Sequence, residues 1–528
     1  MKHFYRRVVA VCAASTLFLS GCTPLTQGQT TGDEHAAQQD TQTDAQTTPQ
    51  SKSTFGLAYY ANEKINPVLS VSRINRILCE ALYEGLFVLD SNFTPQPMLC
   101  DTYSGDGVNW TFTLKQGVKF WSGNDLRASD VVYSYQTAMK NSASPYYNRL
   151  QQVQSISASD DRTVHIQLKS PNTSLLRLLD VPVFRQGTEG EVFSDGSGPY
   201  QPQSDGSIRW LVPFTGWREG VLTVFPKIDL ISTTRADAVV TSFETGDISM
   251  TRADRISATP ATFKGAAEVY QTRTTDLHYL GVNYGRTPYQ IGAVRQAISY
   301  ALDRDRLCST QLQSFADPAV LPVNPQPAAN DTLSYSLGQN DEKAIELLTS
   351  VGIKDVNGDG VLETPTENGG YSAMQPVILV NAENTFKIAV VQQIISDLQQ
   401  IGIRATMESV PFDEYQNRIR KGEYDLYYGE TILTADFDLR PLIAQGGVLN
   451  LGGYASVVTD SLLTQERGAT GDSLQAAQSA LYSHLLVAMP IVPIAFTRGQ
   501  VITRSALIKG YAPAPFDMFY GIKDWKAG

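Results

Sequence analysis

The sequence predicts a multi-lobed protein of mixed α/β and α+β class, and three observations lead there. The 528 residues far exceed the ~100–200 of one ordinary domain. From Val377 to Tyr428 the pattern reads strand, helix, strand, helix, strand, which argues for a parallel sheet with right-handed crossovers. Earlier, Trp110, Phe112 and Leu114 alternate with polar residues, as do Val164, Ile166 and Leu168, the signature of antiparallel strands with one wet face.

Each element of the α/β part has a local cause. Val377 to Val380 is a β-branched run, followed by a helical spacing of Ile388, Val391, Ile395, Leu398 and Ile401. Asn384 or Thr385 caps that helix and Gly402 ends it. Ile403 to Val410 alternates as a strand; Phe412, Tyr415 and Ile419 then share a helix face that stops at Gly422, and Tyr424 to Tyr428 forms the third strand. Ligands of such sheets bind beyond the carboxyl ends of the strands. Those ends are residues 381–384, 411–413 and 429–436. The apolar stretch 485–496 carries Pro490 and Pro493 and reads as a buried strand or turn.

At the N-terminus, Lys2, Arg6 and Arg7 precede the apolar run Val8 to Leu19 and then Leu19-Ser20-Gly21-Cys22. The run is too short for the ~20 residues a membrane span needs. The whole resembles a bacterial lipoprotein signal, which implies removal of residues 1–21 and lipidation of Cys22. Residues 26–54 hold no aromatic or branched aliphatic side chain, so 22–54 is expected to be a lipidated cysteine and a disordered tether with a reach near ~30 Å. The mature protein is expected at a cell membrane, on its extracytoplasmic face.

Formal charge is −11, and loss of the leader leaves 39 basic against 53 acidic residues, or −14. So acidic a body excludes nucleic acid as a partner. Cys79, Cys100 and Cys308 stand in apolar surroundings at spacings that give no disulfide framework, and buried thiols are expected. No phosphate loop, dinucleotide fingerprint, His-Glu-x-x-His or nucleophile elbow occurs, so no enzyme activity is expected, with a hydrolase or a signalling surface receptor as the alternative classes.

Several runs together resemble family 5 extracellular solute-binding proteins, the peptide and nickel binders of ABC importers. They are 80–86 (Glu-Ala-Leu-Tyr-Glu-Gly-Leu), 95–99 (Pro-Gln-Pro-Met-Leu), 110–120 from Trp110 to Phe120, and 128–134 (Ala-Ser-Asp-Val-Val-Tyr-Ser). Gly196-Ser197-Gly198-Pro199-Tyr200, Asn283 with Pro288-Tyr289, 294–304 from Val294 to Arg304, Ile401-Gly402-Ile403 and 490–494 follow in family order. Trp217-Arg218-Glu219-Gly220 stands where the family usually has Arg-Asn-Pro-aromatic-Trp.

The resemblance implies a two-lobed clamp of the type II periplasmic-binding-protein kind with an additional small lobe. Lobe I would comprise 55–75, 181–275 and 490–528, lobe II 76–180, and lobe III, the α/β part, 276–489. It implies a monomer that shuts on a short peptide and delivers it to the transmembrane subunits of an ABC permease, nickel or a nickel chelate being the alternative cargo. In peptide-binding relatives a carboxylate after a third-lobe strand takes the ligand's ammonium. By similarity Asp436 is that acid, with Glu430 and Asp438 as runners-up, although Asp436 could instead cap a turn. Tyr59 and Tyr427 are candidate cleft walls, core packing being their other reading. His165, His278 and His484 are far apart in sequence, which disfavours a bare metal site.

No cofactor is expected beyond a candidate calcium loop. Asp355, Asn357 and Asp359 occupy positions 1, 3 and 5 of an EF-hand-like run with Gly360 at 6, but Thr366 stands where the bidentate acid belongs. A plain turn is the alternative.

Overall fold

Alternation of apolar residues builds three main sheets in a computed structural model that describes residues 55–206, 208–233, 235–323 and 338–528. The leader, Cys22 and the tether lie outside the described residues. Strand β1 (Phe55–Tyr59) leads through α1 (Arg73–Leu82) to the hairpin β2 (Phe87–Leu89) and β3 (Pro95–Pro97). Then come β4 (Cys100–Gly105), β5 (Asn109–Leu114), α2 (Ala128–Lys140), β6 (Val153–Ala158) and β7 (Thr163–Leu168). These form an antiparallel sheet in the order β4-β5-β7-β6, as the alternation predicts. Strands β8 (Tyr200–Asp205), β9 (Ile208–Pro213) and β10 (Ile228–Ser232) complete a second sheet, where β1 pairs in parallel with β10.

The largest sheet begins after α3 (Ala236–Glu244) with β11 (Met250–Ala253) and the long β12 (Ala267–Val282). Helices α4 (Gly292–Ala301) and α5 (Asp341–Ser350) precede the crossover unit. That unit is β13 (Val377–Asn381), α6 (Thr385–Gln400), β14 (Thr406–Val410), α7 (Phe412–Lys421) and β15 (Leu426–Ile432). After α8 (Val457–Gly468) and α9 (Gly471–Ala488) comes β16 (Val492–Arg504). The order is β11-β16-β12-β15-β13-β14, with Ala316–Pro318 added on β16. β13 is parallel to both β14 and β15, as expected from the crossovers, while β12 runs antiparallel to β15 and β16.

Because side chains alternate across a strand, this sheet feeds two helical layers. Ile378, Val380, Leu426 and Ile494 share a core with Val294 of α4 and Val391 and Leu398 of α6. Leu379, Tyr427 and Phe496 share the other with Ile419, Leu463 and Leu481. Burial on both faces explains why 377–380 is an unbroken apolar run. Leu379 is fully buried, so truncating it to alanine costs ~2–5 kcal/mol.

Asn384 caps α6 with its side chain, accepting from the amides of Phe386 and Lys387, and Gly402 (φ +82°) and Gly422 (φ +70°) end the two helices. Two boundaries differ from the sequence reading. Ile403 belongs to the helix exit, its amide donating back to Leu398 O at 3.0 Å, so β14 starts only at Thr406. β15 runs on to Ile432 because β12 pairs with it that far. The apolar stretch 485–496 divides into the end of α9 and the start of β16.

The motifs that suggested a family serve as rivets. Buried Glu84 accepts from Trp217 Nε1 at 3.0 Å and Ser197 Oγ at 3.1 Å, and pairs with Arg218 at 3.0 Å. A Cβ on Gly198 would meet the backbone carbon of Leu82 at 2.4 Å, so the Gly198-Pro199-Tyr200 turn needs its glycine for close approach. Asp130 caps α2 through the Arg127 amide, and Arg295 and Arg304 donate to carbonyls of residues 488–493. Cys79, Cys100 and Cys308 are buried free thiols.

Candidate functional site

Near the carboxyl ends of β13 and β15 the sheet carries charge rather than more core. Residues 278 and 430 face each other across the antiparallel β12–β15 pair, and Asp276 lies two residues before His278 on the same face. Lys387, in the first turn of α6, forms an ion pair with Glu430. Asp276, His278 and Glu430 each offer a ligand atom, all within 4.8 Å of one another.

The electrostatics of the four groups differ. His278 is buried and its Nδ1 lies 2.7 Å from the Tyr428 hydroxyl; burial pushes its pKa down to about 4, so the ring is neutral near pH 7. Burial pushes the Asp276 carboxyl up to about 7, with the charge of Glu430 adding to the effect. Its Oδ2 accepts from Thr497 Oγ1 at 3.2 Å, while its buried Oδ1 has no hydrogen-bond partner among the described residues. Burial acts against ionised Glu430 as well, but His278 and Lys387 outweigh it and hold the carboxyl below its usual range. Since His278 is uncharged at neutral pH, Lys387 is the cation that does so there. The set therefore offers one carboxylate already ionised, a second poised near neutrality with an open oxygen, and a neutral imidazole. Such a set accepts a positively charged group, either an ammonium or a metal ion.

A segment from outside the crossover unit closes over this end of the sheet. Asn384 Nδ2 donates to Ile256 O at 3.1 Å, and Arg255 lies over the Phe315 ring at 5.6 Å.

Other residues expected at the site lie elsewhere. Asp436 is dry, 1 % exposed, and faces Arg467 Nη1 at 3.1 Å; Asn172 Nδ2 donates to the same oxygen at 3.0 Å, and Thr434 to the other. Asp438 is held by Arg440 at 2.8 Å and Arg467 at 3.4 Å. Tyr59 and Tyr427 are both 3 % exposed and pack in separate cores, Tyr427 edge-on to Tyr279 and Tyr424. Only Glu430 of the expected acids joins the strand-end cluster. Asp276 and Lys387 were not singled out from sequence, although the i, i+2 spacing of Asp276 and His278 within an alternating strand puts both on one face.

In the candidate calcium loop the side chains turn to their own backbone. Asp355 accepts from the amides of Gly358 at 2.6 Å and Gly360 at 2.9 Å, Asn357 from Asp359 at 2.8 Å, and Asp359 from Val361 at 2.8 Å. The nearby acid is Glu363, which accepts from Val356 and Asn357. His165 bonds Thr111 and Ser159, and His484 bonds Thr459, so neither histidine joins His278 in the strand-end group.

The sequence matches the profile of bacterial extracellular solute-binding proteins, family 5 (middle region), over residues 94–440. It is 26% identical over 415 residues to the glutathione-binding protein GsiB of Salmonella typhi, covering 72% of this chain and 75% of the relative. Its fold resembles the oligopeptide-binding protein AppA of Bacillus subtilis, solved with a nonapeptide, at a TM-score of 0.59 and 19% identity, covering 90% of this chain and 99% of that one. It also resembles NikA of Brucella suis in complex with Fe(III)-EDTA, at a TM-score of 0.69 and 17% identity, over 90% of this chain and 100% of the other. The mixed α/β architecture is that of type II periplasmic binding proteins. Proteins of this kind carry solutes to ABC importers and do not transform them. With the profile spanning most of the described body, the chain belongs to the family 5 bacterial extracellular solute-binding proteins.

Proposed function

We propose that this protein captures short peptides at the carboxyl ends of β13 and β15 and hands them to an ABC permease. The observation that carries this reading is the Asp276–Glu430 carboxylate pair beside neutral His278, with a buried Asp276 oxygen that lacks a donor among the described residues. A peptide's terminal ammonium supplies three donors and a charge to such a pair. Relatives described as binding glutathione and a nonapeptide support a peptide-like cargo. In this reading Asp276 and Glu430, rather than Asp436 or Asp438, receive the ammonium: Glu430 is paired with Lys387 but stays 37 % exposed, whereas Asp436 is dry against Arg467 and Asp438 is held by both Arg440 and Arg467. Tyr59 and Tyr427 support the fold from behind.

The test is calorimetric titration with a pool of di- to pentapeptides. Glu430→Gln is expected to lower affinity at least about tenfold, the effect of ~1.4 kcal/mol. Unchanged affinity removes Glu430 from the site.

A second reading rests on the same cluster. One imidazole and two carboxylates within 4.8 Å also suit a metal ion or a metal chelate, which relatives solved with Fe(III)-EDTA and Ni(L-His) make worth testing. Titration with Ni(II) alone and with Ni(II)-histidine separates the cargoes.

The remaining parts follow from sequence. Lobe I would comprise 55–75, 181–275 and 490–528, lobe II 76–180 and lobe III 276–489, closing as a monomer. Lipidated Cys22 would hold the body at the extracytoplasmic face of the membrane through the 22–54 tether.

A further inference from the structure

A cavity of about 550 Å³ lies apart from the strand-end cluster, and no described residue from 276 to 489 lines it. A cleft that shut between the α/β part and the rest of the body would be lined from both sides. This one is walled by α1, the β2–β3 hairpin, neighbouring turns and the C-terminal segment 515–524. Its volume falls within the ~300–1,000 Å³ of small-molecule sites.

Most of its charges are matched internally. Arg252 pairs with Glu80 at 3.0 Å, Arg218 with Glu84 at 3.0 Å, Lys523 with Glu219 at 3.3 Å, and Arg149 with Asp180. What remains is sorted by wall. Arg73 and Arg76, one helical turn apart on α1, form no ion pair or side-chain hydrogen bond among the described residues. Opposite in sign, the C-terminal segment contributes Asp517 and Asp524; the Asp517 carboxylate accepts from the Phe519 amide at 2.8 Å and lies in the fields of Glu80 and Arg252. Arg218 Nε is buried without a hydrogen-bond partner among the described residues. Tyr146, Phe516 and Phe519 add an apolar surface.

We infer that this cavity is a second small-molecule site, taking a zwitterion of amino-acid size with an apolar side chain, its carboxylate toward Arg73 and Arg76 and its ammonium toward Asp517. A molecule with separated opposite charges satisfies both walls at once, whereas a plain anion or cation leaves one wall unmatched. Burial and the neighbouring Glu80 push the Asp517 carboxyl up to about 7, so an incoming ammonium drives its proton off. Calorimetric heats near pH 7 will then depend on the buffer's ionisation enthalpy.

The test is titration of the full chain with L-leucine, alongside Arg76→Glu at the exposed rim, the near-isosteric Asp517→Asn, and Glu430→Gln. Leucine is expected to bind, with affinity at least about tenfold weaker in each of the first two variants and unchanged in Glu430→Gln. Absence of leucine binding, or unchanged affinity in either Arg76→Glu or Asp517→Asn, overturns the cavity site. Loss of leucine affinity in Glu430→Gln alone also overturns it and leaves the strand-end site standing. Loss of peptide binding in Glu430→Gln with leucine binding retained supports two sites.

Discussion

Arg467 Nη1 lies 3.1 Å from Asp436 Oδ2, and both side chains are nearly dry, 6 % and 1 % exposed. Asn172 donates to the same oxygen, and Thr173 N donates to Arg467 O at 2.9 Å, so the pair ties residues 172–173 to α8. Asp436→Ala leaves a buried guanidinium that keeps Asp438 at 3.4 Å and Gln152 at 3.1 Å but loses its nearer carboxylate. It is expected to cost ~3 kcal/mol of stability, the range for breaking one partner of a buried pair. Urea unfolding reads this directly. Full stability together with lost peptide binding would return Asp436 to the ligand.

The pH dependence of stability reports Asp276. Its folded pKa of about 7 lies above the ordinary 3.8, so between these values the native state binds more protons than the unfolded chain. Stability from this group is therefore present at low pH, declines as pH rises through the window and levels off above it. Asp276→Asn is expected to remove that slope, as measured by unfolding midpoints at pH 4.5, 6 and 7.5. An ammonium ligand favours the ionised carboxyl, so peptide affinity is expected to rise over the same interval in the parent and to stay flat in the variant.

Gly198→Ala places a methyl 2.4 Å from Leu82 C and 2.6 Å from its O, both backbone atoms that cannot swing away. Overpacking of this kind costs ~1–3 kcal/mol. A lowered melting temperature is expected, and an unchanged one would mean that the 196–200 turn is free to shift.

Cys22→Ser is expected to move the protein from the membrane fraction to the soluble fraction, since a lipid chain contributes ~0.8 kcal/mol per buried methylene and the tether offers no other apolar anchor. Lipid labelling of the variant would contradict this.

Local chemistry made much of the fold legible. Asn384 and Gly422 announced their caps, the 110–114 and 164–168 runs their alternation, and the 377–428 unit its crossovers. Lost from view was whatever depends on partners far away in sequence. The pairing of β12 with β15 brings His278 to Glu430 across about 150 residues, and no local pattern encodes that register. For the same reason Asp436 read as an open acid, because Arg467 and Asn172 reach it from separate segments. The strand-end rule pointed to 429–436 as a stretch, which holds both Glu430 and Asp436, and could not choose between them.

β12 and β16 zip together from Ala267–Arg504 to Leu280–Val492, with register breaks between Arg273 and Leu277 and between His278 and Tyr279. A bulge concentrates twist and bend where it sits; Asp276 lies within the first break and His278 borders the second. The irregular part of the β12–β16 ladder thus falls where two of the three groups able to hold a cation stand. β12 keeps an unbroken register with β15 from Asp276–Ile432 to Val282–Leu426, so whatever bends the strand there carries His278 and Glu430 together and leaves their pairing intact.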